Sequence, residues 1–249
     1  LVTAKRSGSA IITATSVDCG LTDTCNITVR ETVTEMSSIY SMSDGASITN
    51  YVYGVYQGVY GKAANGFFLA NGDYGLLVYG GSVQSSWVAG QTVLRVQGPL
   101  YNYSGQYEIK NPTKLEVATQ EEADLYVKTP TIYSISGNET SANRILSARK
   151  AVVSGVVKSV SASVSTSKNS TIKLTMSNGK EATVFVKSGM DSAYISSITA
   201  LNTVGRKVTL QGFTYISNTT FELAYPKIIS YDLDWFAFDF LNETDAICG

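Results

Sequence analysis

Along most of the chain, apolar and polar residues exchange places every second position, in runs too short for long helices and punctuated by Gly, Asn and Ser. Ala10 to Thr15 and Cys25 to Val29 read as two strands joined by a turn. A longer strand pattern spans Ile48 to Tyr60, with Tyr51, Tyr53 and Val55 on one parity and Val52, Gly54 and Tyr56 on the other. Gly54, Gly58 and Gly61 interrupt it as bulges or coiling points would. Gly66 to Ala70, the turn Asn71-Gly72-Asp73 and Tyr74 to Tyr79 predict a hairpin. Gly90 to Gly98 and Gly105 to Ile109 supply two more strands, which makes five.

The order recurs downstream. Ala151 to Val160, Ser170 to Met176, the turn Ser177-Asn178-Gly179, Lys180 to Lys187, a helical stretch around Asp191 to Leu201, Gly205 to Gly212 and Thr220 to Leu223 repeat it. Gly90-Gln-Thr-Val-Leu-Arg-Val-Gln-Gly98 aligns with Gly205-Arg-Lys-Val-Thr-Leu-Gln-Gly212 with one deletion, and Pro112 and Pro226 close the two units. Two such units resemble tandem OB-folds, with further β-sandwiches as the alternative. In the join, Gln120 to Asp124 is polar and acidic, Gly137 to Ser141 is a turn, and a helix is expected from Ser141 to Arg149.

The two ends read differently. Gly8-Ser9-Ala10-Ile11-Ile12-Thr13-Ala14-Thr15-Ser16 followed by Cys25-Asn26-Ile27-Thr28-Val29 resembles the last strands of group 2 bacterial immunoglobulin-like domains of surface proteins. That resemblance implies an incomplete β-sandwich whose open edges would accept another strand. At the other end, Ile228 to Leu241 is apolar and aromatic, with Ile229, Tyr231, Leu233, Trp235, Phe236, Phe238 and Phe240 as the candidate donor strand; the alternatives are that it packs back on its own chain to complete that sheet, or that the missing strands belong to a longer precursor. The expected class is all-β with minor helix: a partial immunoglobulin-like segment (1–34), a linker (35–47), a first OB-like barrel (48–118), a join (119–147), a second barrel (148–227) and a hydrophobic tail (228–249). The start at Leu1 fits either a mature processed product or a trimmed fragment.

Composition then narrows the function classes. There is no histidine in the 249 residues, which removes Ser-His-Asp and Cys-His catalysis and His-ligated zinc. Nineteen Lys and Arg against 20 Asp and Glu give a net charge of -1, so no overall basic field exists for a duplex. Charged residues make up only 16%, which suits strands and turns. Apolar runs stay below the 18 or so residues of a spanning helix; the Leu233 to Leu241 stretch is broken by Asp234 and Asp239.

Cys19 and Cys25 bracket a five-residue turn, a spacing that predicts a hairpin-closing disulfide in an oxidising compartment, with two reduced thiols as the alternative. Cys248 is then left for an intermolecular bond or stands idle. Asn-X-Ser/Thr sequons occur at Asn26, Asn102, Asn138, Asn169, Asn218 and Asn242. Chance pairing of 13 Asn with this Ser and Thr content gives about three, so the excess favours a secreted, N-glycosylated chain over a Ser/Thr-rich bacterial surface protein with adventitious sequons.

Tyr51, Tyr53, Tyr74 and Tyr79 are the candidate stacking platform for extracellular glycans; strand filling and subunit contact are the plainer explanation for so many tyrosines. Between residues 48 and 109 only Lys62 and Arg95 are basic, too few for single-stranded nucleic acid. Asp232, Asp234 and Asp239 lack the Gly and terminal Glu of a calcium loop, and Glu121-Glu122 has no hydrophobic frame, so no metal site, cofactor or catalytic constellation is expected. The expected function is a non-enzymatic subunit of an extracellular filament or surface layer that partners copies of itself head to tail by strand addition. The alternatives are a cell-surface adhesion or carbohydrate-binding module and, by fold analogy alone, an enzyme accessory domain.

Overall fold

The computed structural model describes residues 8–61 and 65–232. The strands in chain order are β1 (Gly8–Thr15), β2 (Thr22–Val29), β3 (Ser47–Val59), β4 (Gly66–Asn71), β5 (Tyr74–Tyr79), β6 (Val93–Tyr103), β7 (Gln106–Lys110), β8 (Lys114–Val117), β9 (Tyr133–Ser134), β10 (Lys150–Val160), β11 (Ser170–Thr175), β12 (Glu181–Val186), β13 (Lys207–Ser217) and β14 (Thr220–Tyr231). Two short helices, α1 (Gln120–Tyr126) and α2 (Ser192–Ser197), and three 3-10 turns complete them. The chain is mostly β, and among the described residues no helix is long and apolar enough to cross a membrane.

Strands β3 to β7 close a ring in the order β3-β4-β5-β7-β6, with β6 returning to β3. The β5–β7 contact is parallel and the others antiparallel. This is the strand order of an OB-fold barrel. Strands β10 to β14 close the same way, β10-β11-β12-β14-β13 and back, with β12–β14 parallel. Helix α2, capped by the Asp191 carboxylate on the Ala193 amide, sits between the third and fourth strands of the second ring.

The duplication extends to the backbone. Ser104 and Asn218, in the tight turns before β7 and β14, both have φ 54°. Asn111 and Tyr225 stand at φ 51° and 52°, each directly before a proline, Pro112 and Pro226. Gly54 and Gly155 match on the first strands: a Cβ on Gly54 would lie 3.1 Å from the Ala70 carbonyl, and one on Gly155 2.8 Å from that of Thr175. In both places the barrel wall bends too tightly for a side chain.

Alternation explains which residues fill the barrels and which link them. Phe67, Leu69, Leu76, Val78 and Ile109 point into the first barrel, and Ile172, Leu174, Val184, Leu210 and Leu223 into the second. Phe68 and Leu77, one step out of phase, are buried all the same, in a separate cluster with Ala148 against which Tyr60, Phe213, Tyr215 and Tyr225 pack. Both faces of β4 are therefore covered, one by its own barrel and one by its neighbour. Backbone hydrogen bonds add to the junction: the Asn218 amide donates to the Ser104 carbonyl at 2.6 Å.

Several boundaries differ from those expected. Residues 35–47 are not a free linker, because the 3-10 helix Met36–Ser41 drives Met36 and Ile39 into the first barrel's core. The helix of the join is α1 rather than Ser141 to Arg149, where only a 3-10 turn, Arg144–Leu146, forms. Thr119 and Glu122 cap α1 reciprocally, each side chain bonded to the other's amide. The second barrel reaches past residue 227, since β14 stays paired with β13 to Tyr231 opposite Val208.

Candidate functional site

The N-terminal hairpin stands apart from the barrels. β1 and β2 pair from Gly8 with Val29 to Thr15 with Thr22, and among the described residues neither pairs with a third strand. Nearly every side chain on both strands is exposed, including Ile11 at 69%. Two-stranded sheets are marginal alone, and their outer edges present unpaired N–H and C=O groups in a row. The hairpin is moored at its base, where the Ser9 amide donates to the Glu121 carboxylate at 2.6 Å and the Glu31 amide to the Tyr126 hydroxyl at 2.6 Å.

The expected Cys19–Cys25 bridge is not formed; both thiols are free and exposed. A cross-strand bridge needs facing partners, and the residue facing Cys25 is Ile12. Cys19 instead lies in the turn, its sulfur 3.0 Å from the Ser16 hydroxyl. Cys248 lies outside the described residues. So do Leu233, Trp235, Phe236, Phe238 and Phe240 of the expected donor strand, along with Asp234, Asp239 and Asn242. Its first residues, Ile229 and Tyr231, are built into β14 with their side chains exposed. Of the other sequons, Asn26, Asn138, Asn169 and Asn218 are exposed and Asn102 is half-buried.

The four tyrosines of the expected glycan platform do not share a surface. Tyr53 is buried, stacked on Tyr126 at 4.9 Å, and its hydroxyl donates to Glu31. The Arg95 guanidinium is 4.5 Å above the Tyr51 ring, whose hydroxyl donates to Glu116 at 3.0 Å. Arg95 also forms ion pairs with Glu116 at 2.7 Å and with the buried Glu122. Hydrogen bonding to Tyr51 and Arg95 holds the Glu116 carboxyl below its ordinary range. Tyr74 packs on the first barrel's core, and only Tyr79 faces the cleft between the barrels.

That cleft gathers residues which the sequence did not single out. It consists of two adjoining cavities of about 470 and 430 Å³ that share Tyr60, Tyr103 and Lys187. Glu108 on β7 lines the first and Glu222 on β14 the second. The two occupy matching places: Tyr107-Glu108-Ile109 and Phe221-Glu222-Leu223 each follow the tight turn that opens the fifth strand of a barrel. Alternation sends Ile109 and Leu223 inward and the glutamates outward, where the barrel junction covers them to 5% and 7% exposure. Burial pushes both carboxyls up to about 7, against the smaller opposing pull of Lys110 on Glu108 and of Lys173 on Glu222. The shared Tyr-Glu-Ile and Phe-Glu-Leu triplets were the available sequence signal. A glutamate on an outward strand position otherwise reads as solvated.

No family model matches the chain, and neither does any curated protein. Among solved structures, a deletion mutant of the single-stranded DNA-binding protein from Thermus aquaticus aligns over 77% of this chain and 95% of its own, at 8% identity and a TM-score of 0.23. A similarity that low carries no argument; the strand pairings alone define the fold. Among the described residues no group of three or more His, Cys, Asp or Glu is placed to hold a metal ion.

Proposed function

We propose that the protein is a structural subunit of an extracellular, N-glycosylated filament or surface layer, assembled head to tail by β-strand addition. The observation that carries this reading is the β1–β2 hairpin, whose two outer edges pair with no other strand among the described residues, and its exposed Ile11. Such an edge is a template for a third strand, and a heterologous contact that does not close on itself propagates into a filament. The hairpin's likeness to the final strands of a group 2 bacterial immunoglobulin-like domain fits this role, because strands supplied by a neighbour would complete the sandwich. As β14 retains Ile229 and Tyr231, the proposed donor shortens to Leu233 to Leu241. Exposed sequons at Asn26, Asn138, Asn169 and Asn218 are compatible with glycan-coated outer surfaces.

The test is electron microscopy of the wild type beside Thr13→Pro, which removes one amide from β1 and distorts the edge while leaving both barrels untouched. Filaments from the wild type alone, with both proteins equally folded, support strand addition. Identical assemblies from the two proteins, or monomers from both, would refute it.

A further inference from the structure

We propose that the cleft between the two barrels binds an oligosaccharide, with Glu108 and Glu222 accepting hydrogen bonds from its hydroxyls and Tyr60 and Tyr103 packing on its C–H faces. This is independent of the assembly reading. It starts from two carboxylates in the cleft walls: Glu108 and Glu222 are largely covered as residues, their carboxylates open onto the two cavities, and no donor among the described residues bonds to either. Two carboxylates at matching places in duplicated units, facing a cavity and bonded to no protein donor, are free to accept from a ligand that enters it.

The surrounding charge selects the class of donor. Lys187 projects between the cavities, its ammonium 5.8 Å from the Tyr60 ring centroid, and Lys173 donates to Thr183 at 2.7 Å beside Glu222. Lys110 neighbours Glu108, its ammonium 4.2 Å from the Tyr101 ring centroid. Three ammonium groups weigh against an organic cation, and two carboxyls weigh against a phosphodiester chain. A polyhydroxyl ligand satisfies acceptors and donors at once, and the tyrosine rings suit the apolar faces of pyranoses. Each cavity is within the roughly 300–1,000 Å³ range of ligand pockets, and their junction suits a chain of sugars rather than one ring.

The sugar has two possible sources. Asn169, a sequon residue, lines the second cavity, and its side-chain oxygen already accepts from the Ser188 amide at 2.7 Å. An N-glycan on its free amide nitrogen would start at the mouth of the cleft. A separate glycan from the surroundings presents the same hydroxyls.

The experiment is calorimetric titration of the full chain, before and after N-glycosidase treatment, with maltohexaose, cellohexaose, mannohexaose and chitohexaose. Hexyltrimethylammonium and a ten-residue oligothymidylate serve as competing chemistries. Binding of at least one hexasaccharide is expected, weakened at least tenfold by Glu108→Leu and by Glu222→Leu. These variants remove a largely covered carboxyl that no protein group bonds, so their melting temperatures should hold or rise, which separates lost binding from lost folding. Binding that appears only after glycosidase treatment, and in untreated Asn169→Gln, assigns the cleft to the chain's own glycan; equal binding before and after assigns it to an external one. No hexasaccharide binding in any form, undiminished binding by both Leu variants, or preference for the ammonium or the oligothymidylate would overturn the proposal and leave water as the carboxylates' partner.

Discussion

The ring of Phe68 lies flat on that of Phe213, 3.9 Å between centroids and 6° from parallel, and so joins the second strand of one barrel to the fourth strand of the other. Tyr60 extends the contact onto Tyr215 and Tyr225, at 6.2 and 5.4 Å. Phe213→Ala should therefore cost about 2–4 kcal/mol, from lost apolar burial plus the stacked pair. Because the lost contact lies between the barrels, the thermal unfolding curve should split into two transitions where the wild type shows one. Calorimetry checks both effects.

Arg95 is the hinge of a polar network on the first barrel's wall. It faces Glu116 and Glu122, and Glu122 is itself buried. Arg95→Met should destabilise by about 2–4 kcal/mol, since it strands a buried carboxylate. Arg95→Met with Glu122→Met should recover only part of that loss, because Glu122 also accepts from the Thr119 amide at the start of α1. Urea unfolding of the single and double variants measures the difference.

The paired glutamates predict how stability changes with pH. In the unfolded chain Glu108 and Glu222 ionise near 4.5, and in the folded protein near 7. Folding thus favours their protonated forms, a contribution fully present below about pH 4.5 and lost as pH rises through about 7. The Glu108→Gln, Glu222→Gln double variant should melt higher than the wild type at pH 8. Its melting temperature should also vary less between pH 5 and 7.5, as scanning fluorimetry across that range would show.

The hairpin thiols carry a fourth prediction. Hydrogen bonds from the Ser16 hydroxyl and the Leu21 backbone to its sulfur hold the Cys19 thiol below its ordinary value, and it is exposed. Iodoacetamide should alkylate Cys19 faster than Cys25, as read by peptide mass spectrometry. Labelling of both only after reduction would mean a bridge forms where the structure has two thiols.

What was legible in the sequence was whatever rests on local chemistry. Asn71-Gly72 and Asn178-Gly179 marked real reverse turns, and the aligned Gly90–Gly98 and Gly205–Gly212 segments foretold two units with one strand order. The helical stretch expected around Asp191 to Leu201 is present as α2, which Asp191 caps. Tertiary context hid the rest. Phe67 and Phe68 are both buried because the second barrel packs on the outer face of β4, so alternation could not say which of them faces the junction. Tyr51 and Tyr53 looked like a free platform until Arg95, Glu31 and Tyr126 occupied them. The capping pair Thr119 and Glu122 was readable, yet its acidic surroundings suggested a linker. Glu108 and Glu222 gained their environment only from the packing of one barrel on the other.

Strand addition is tested most directly by amide hydrogen exchange across β1 and β2 in assembled and dilute protein. Amides pointing away from the β1–β2 ladder, fast in the dilute chain, should become protected along one of the two strands on assembly, while those of the barrels change little. Unchanged exchange throughout Gly8 to Val29 in an assembled sample would contradict it.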